Sequence, residues 1–128
     1  TDAIATRGLD DAIKRMQSFS KLGVDILFIE AVKNKEDMKR IIKEVPGHHM
    51  LNLIEDGETP LLEINEIEEI GYKIAVMPLT LMSASVKTMQ ECLNNMKNKV
   101  YNKNVSKFSD LRDIVGFNEY YDIEDKYK

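Results

Sequence analysis

Three short apolar runs, each preceded by a helical pattern, recur along this chain at a spacing of about 25 residues, and this alternation limits its fold more than any other property. The runs lie at 24–29, 49–54 and 72–77. Before the first, Leu9, Ala12, Ile13, Met16 and Phe19 recur at steps of three and four, which predicts a helix over 8–23 stopped by Gly23. Between the first and second, Asn34 is the expected N-cap of a helix with Met38, Ile41, Ile42 and Val45 on one face, closed by Pro46-Gly47. Ile64, Ile67 and Ile70 predict a short helix before Gly71. After Pro78, Val86, Met89, Leu93, Met96 and Val100 mark a long helix over about 79–100. A further helix is expected over 106–115. The aromatic and charged stretch 119–128 has room for a last turn or two.

Such alternation builds a parallel sheet with helical crossovers. Two architectures fit. One is an open doubly wound sheet forming a complete small domain. The other is the second half of an eight-stranded α/β barrel of the TIM type. Projecting the repeat backwards puts the end of a preceding strand at Thr1-Asp2-Ala3, which favours the half barrel. On that reading, residues 1–78 are the last βα units and 79–128 a C-terminal helical segment. Composition narrows the function classes. A net charge of −4 argues against non-specific nucleic-acid binding, which needs a basic face. No apolar run approaches the ~18 residues of a membrane span. Cys92, the single cysteine, excludes an internal disulfide and suits a reducing, cytoplasmic setting. The visible N-terminus has no basic stretch followed by an apolar one.

In either architecture ligands sit at the carboxyl ends of the strands. There the chain places Asp2, Glu30, Glu55 and Pro78-Leu79. A carboxylate beside an Ile-Leu-Phe-Ile strand is costly to desolvate unless it is paired or coordinating, so acids at three successive exits suggest a polar site. Each taken alone could simply end its strand in solvent. Asn52, between Leu51 and Leu53, faces the opposite side from both and needs partners if buried. Gly57 permits close backbone approach to a ligand and Thr59 supplies a hydroxyl, although both residue types also form ordinary turns. His48 and His49 are adjacent on a strand and point to opposite faces, so they cannot easily share one ion. Cys92, inside the long helix, reads as a packing residue. No glycine-rich phosphate loop, cysteine pair or nucleophile elbow is present.

The segments Thr1-Asp2-Ala3, Gly8-Leu9-Asp10-Asp11-Ala12-Ile13, residues 23–31, residues 52–60, Gly71-Tyr72 and Pro78-Leu79 occur in an order that resembles the isocitrate lyase / phosphoenolpyruvate mutase superfamily. The resemblance runs from Thr1 to about Tyr127 and covers the second half of that family's barrel. It implies a magnesium-dependent enzyme cleaving a C–C bond, retro-aldol fashion, in a small 2-hydroxy or 2-oxo acid of the isocitrate, methylisocitrate or dimethylmalate type. The alternative on the same scaffold is a phosphonomutase acting on a P–C bond. A non-catalytic α/β interaction module is the reading from another class.

By the same resemblance, Glu30 is the catalytic candidate, an acid paired with substrate or with an arginine expected just before Thr1. Asp2 follows that arginine beside the substrate, and Asn52 matches a substrate-carboxylate ligand. Glu55, Gly57, Thr59 and Pro60 match the loop after the seventh strand, and Pro78 and Leu79 the site wall after the eighth. No metal ligand is expected in these residues. The magnesium-binding aspartates and the mobile loop with its cysteine belong upstream, so the chain alone is expected to be inactive. Ile54, where the methylisocitrate branch usually has threonine, points to the other branches. Asp56 and Glu58 depart from the usual Gly and Lys there. The resemblance also implies a homo-oligomer, a tetramer in the parent, with the 79–100 helix swapped onto a neighbour and Tyr101, Phe108 and Tyr120 as anchors. Neither a nucleic acid nor a membrane is expected as a partner.

Overall fold

The structure, a computed structural model, describes Thr1–Lys128. Two helices open the chain, α1 (Ala3–Arg7) and α2 (Leu9–Lys21), where the periodicity alone predicts one. Gly8 is the reason. At φ 84° and ψ 175° it takes a backbone conformation closed to residues with a Cβ. Its N–H closes α1 on Ala3 O and Ile4 O, and its carbonyl starts α2 by accepting from Ala12 N at 3.2 Å. Ala3 therefore belongs to a helix rather than to a strand end. Thr1 does sit as the residue of a parallel neighbour would. Its amino group donates to Phe28 O at 2.6 Å, and its carbonyl accepts from Glu30 N at 3.0 Å.

Strands β1 (Ile26–Phe28), β2 (His48–Asn52) and β3 (Ile74–Val76) form one parallel sheet in the order β1-β2-β3. Their crossovers are α3 (Lys35–Glu44) and α4 (Ile64–Ile70). Asn34 caps α3 as expected, accepting from Asp37 N at 2.8 Å. Sequential strands lie side by side with no reversal of order. Because parallel crossovers share one hand, both helices fall on the same face of the sheet. A doubly wound sheet would reverse order and cover both faces. The burial pattern agrees. Leu27, Ile29, Leu51 and Leu53 pack with Ile13 and Met16 of α2, Met38 and Ile41 of α3, and Ile67 of α4. On the other face, Ile26 is 48% and Ile74 36% exposed. A singly wound sheet with one bare face is the geometry of an open piece of α/β barrel.

Two compact units divide the chain, Thr1–Ser85 and Val86–Lys128. Helix α5 (Thr80–Lys97) begins in the first and continues into the second. The second unit also holds α6 (Phe108–Ile114) and α7 (Phe117–Lys126), the latter longer than the turn or two expected of that stretch. Within α5, α6 and α7 no residue is buried. Tyr101 is 93% and Phe108 78% exposed. No helix is long and apolar enough to cross a membrane.

A bare apolar sheet face, a free β3 edge and an uncovered aromatic surface predict that the 128-residue chain self-associates. Sedimentation velocity should show species that grow with protein concentration. One sharp monomer boundary at high concentration would contradict this.

Candidate active site at the strand exits

Two strand exits converge on one cleft. Extending the β1–β2 register by two residues sets Glu30 opposite Asn52 on the bare face of the sheet. Asn52 Nδ2 donates to Glu30 Oε2 at 3.3 Å, and Ala31 N donates to Glu30 Oε1 at 3.2 Å. Both donors are neutral, and no cation pairs with Glu30 in the chain. Ala31 has φ 59°, a left-handed conformation that an L residue adopts only under constraint. The constraint is visible: Ile29 and Val32, on either side of the Glu30-Ala31 pair, are both buried. The backbone that aims Glu30 is thus held in strain from both ends.

After β2 the chain turns sharply. Gly57 N donates to Ile54 O at 3.0 Å, and Asp56 takes φ 62°. A Cβ at Gly57 would stand 3.0 Å from Ile54 O and 3.1 Å from Ile54 Cβ, so only glycine fits without movement. This turn carries Gly57, Glu58 and the buried Thr59 to the cleft. The cleft has a volume of about 310 Å³ and is lined by Glu30, Ala31, Asn52, Ile54, Gly57, Glu58 and Thr59. Lys33 Nζ and Glu58 Oε2, 3.6 Å apart, join the two exit loops. Both side chains are well exposed, so the pair contributes little energy.

Of the residues expected at a site, Glu30, Asn52, Gly57 and Thr59 come together here. Asp2, Glu55, Pro60, Pro78 and Leu79 do not line this cleft. Glu55 turns away and accepts from Thr80 Oγ1 at 2.6 Å. That bond, with one from its own backbone N–H, holds the Glu55 carboxyl below its ordinary pKa. Lining residues missed at the sequence level are Ala31, Ile54 and Glu58. Glu58 had a signal, its departure from the usual lysine, whereas Ala31 had none because strain is a property of the folded backbone. His48 is exposed and His49 buried, with His49 Nε2 against Val45 O at 2.9 Å.

Two other grooves are as large. One, of about 340 Å³, lies between Thr88 and Asn104, and another, of about 380 Å³, between α3 and α4. Neither stands at a strand exit, where parallel α/β folds place ligands, so the Glu30–Asn52 cleft is the stronger candidate. No three His, Cys, Asp or Glu side chains converge to hold an ion. The acids at the exits are engaged separately, Glu30 by Asn52 and Glu55 by Thr80. The cleft offers a half-buried carboxylate, an amide, a hydroxyl and a second, exposed carboxylate. Its charge is negative, so an anionic substrate would need positive charge from elsewhere.

No family model matches the chain. It is 34% identical over 131 residues to 2,3-dimethylmalate lyase of Eubacterium barkeri, covering 99% of this chain and 45% of that one. It is 31% identical over 134 residues to the chloroplastic carboxyvinyl-carboxyphosphonate phosphorylmutase of Arabidopsis thaliana, covering 99% and 40%. The crystal structure of a 2,3-dimethylmalate lyase, described as a PEP mutase/isocitrate lyase superfamily member, superposes with a TM-score of 0.83 at 23% identity. That match covers all of this chain and 46% of the other. The chain thus spans less than half the length of the relatives it matches.

The strain at Ala31 gives a direct test of the local geometry. Ala31→Gly should stabilise the chain by about 1 kcal/mol, since glycine takes a positive φ without the Cβ penalty. Urea unfolding would show a raised midpoint, and a lowered one would mean that the left-handed conformation is not present.

Proposed function

Because this chain belongs to the PEP mutase/isocitrate lyase superfamily, we propose that it is the carboxyl-terminal portion of a carbon–carbon lyase acting on a small 2-hydroxy or 2-oxo acid. The observation that carries this is the Glu30–Asn52 pair at adjacent strand exits, in a cleft whose own charge calls for a cationic complement. A 2-hydroxy acid cleaves by loss of its hydroxyl proton and rupture of the adjacent C–C bond. The products are a 2-oxo acid and the enolate of a carboxylic acid, which then takes a proton.

In this reading Glu30 is the acid of the site, orienting a cationic group from the rest of the parent against the substrate, or holding a proton at its carboxylate. Asn52 directs its amide to a substrate carboxylate, with Thr59 Oγ1 and the Gly57 backbone beside it. Pro78 and Leu79 wall the site at the β3 exit, Asp2 flanks it beside Thr1, and Pro60 shapes the loop behind Thr59. A divalent magnesium ion would be bound by the other part of the parent, where the family resemblance puts its ligands. The parent assembles as a homo-oligomer in which α5 packs on a neighbouring subunit. Three helices without one buried side chain support this. The phosphonomutase reading stands second, on the 31% identity to the Arabidopsis enzyme.

The intact parent, assayed with magnesium, should release a 2-oxo acid from 2,3-dimethylmalate, 2-methylisocitrate or isocitrate. Glu30→Gln should lower kcat/KM by roughly 100-fold or more, in the range for a lost acid–base group. Rearrangement of a phosphonate without 2-oxo acid release would favour the mutase, and neither reaction would favour a binding module. The 128-residue chain by itself should show no turnover, and calorimetry with magnesium and oxalate should give no heat of binding.

A further inference from the structure

We propose that Glu55 is a positioning residue, whose bond to Thr80 clamps the loop after β2 to the first turn of α5, and that it makes no contact with substrate. The proposal rests on the reading of the Glu30–Asn52 cleft as the substrate site, because it assigns Glu55 a role toward that cleft.

Three observations converge. First, the turn from Ile54 to Gly57 fixes where Glu55 can point. It is closed by the Gly57-to-Ile54 bond, and a Cβ at Gly57 would crowd Ile54 O at 3.0 Å. Glu55 therefore stands outside the cleft while Gly57, Glu58 and Thr59 of the same loop line it. Second, the N-terminus of α5 lacks a cap of its own. Ser83 N donates to Leu79 O at 2.8 Å, which puts Leu79 at the N-cap, and an aliphatic side chain cannot accept the free N–H groups there. The first turn of α5 also contains no acid. Third, Glu55 supplies a carboxylate to that turn from another loop, accepting from Thr80 Oγ1 at 2.6 Å. A negative charge beside a helix N-terminus is favourable, and a charge-assisted bond is stronger than a neutral one. Pro78 and Leu79 immediately precede Thr80, so one bond ties the loop that brings Gly57 and Thr59 to the cleft to the segment leaving β3.

The lowered pKa of Glu55 sets the sign of the pH dependence. A carboxyl depressed by folding contributes its stabilisation above the unfolded pKa and loses it as pH falls through the folded value. The clamp is closed at neutral pH and opens in acid.

Amide hydrogen exchange on the 128-residue chain tests this. The reporters are Gly57 N–H on the loop and Ser83 N–H on the helix. At neutral pH, Glu55→Ala and Thr80→Val should each raise exchange at both amides, by roughly three- to tenfold for loss of an exposed charge-assisted bond. The double variant should go no further than either single one. Thr80→Ser should retain protection, since it keeps the hydroxyl. If each variant loosens only its own segment, or the two effects add, there is no clamp. In the intact parent, Glu55→Ala and Thr80→Val should lower kcat by the same factor. A rise in KM confined to the Glu55 variants would overturn the proposal in favour of direct substrate contact. A parent that cleaves none of the carboxylates would defeat the lyase reading while leaving the exchange result intact.

Discussion

Burial of one face of a parallel sheet is the constraint on which Thr1–Ser85 depends. Leu27, Ile29, Leu51 and Leu53 project toward α2, α3 and α4 and meet Ile13, Met16, Met38, Ile41 and Ile67 there. Strand residues alternate between faces, so committing these side chains to the helical layer sends Phe28, Met50 and Asn52 to the other side. The same alternation carries Glu30 to the side of Asn52, where the two meet. The placement of the candidate site is thus a consequence of core packing. A register slip of one residue would turn Asn52 into the helical layer and destroy the cleft together with the core.

The two exits are not equivalent in their chemistry. Glu30 is held by neutral donors in a strained segment anchored by Ile29 and Val32. Glu55 is also an acid following an apolar strand, but it is committed to Thr80. Residue type and position relative to the strand are nearly the same. Each is followed by a left-handed residue, Ala31 at φ 59° and Asp56 at φ 62°; what separates them is that the second turn closes, with Gly57 N donating to Ile54 O.

Much of the fold was legible in the sequence because its local signals agree with the tertiary outcome. Asn34 caps α3, Gly71 ends α4 in a left-handed conformation, and Ala12, Ile13 and Met16 of α2 and Met38 and Ile41 of α3 are buried as their spacing predicts, whereas Phe19 of the same α2 stripe is exposed. The break at Gly8 escaped because the apolar repeat continues through α2 and a glycine at a helix start is unremarkable on its own. The strands came out shorter than the apolar runs, because hydrogen-bonded pairing stops where the chain leaves the sheet while apolar burial continues to Ile29 and Leu53. In Val86–Lys128 the periodicity correctly marked helices, but it could not say what covers their apolar side chains. Among these residues alone, none of those side chains is buried.

The sequence by itself determined the alternation of helix and strand, the polar residues at the strand exits and the family likeness, because these are carried by local spacing and residue type. Only the tertiary structure decided that Glu30 joins Asn52 while Glu55 joins Thr80, that Ala31 is strained, and that one sheet face stays bare. Each of these depends on contacts between segments more than twenty residues apart or on a backbone angle set by packing on both sides, and neither quantity has a signature in residue spacing.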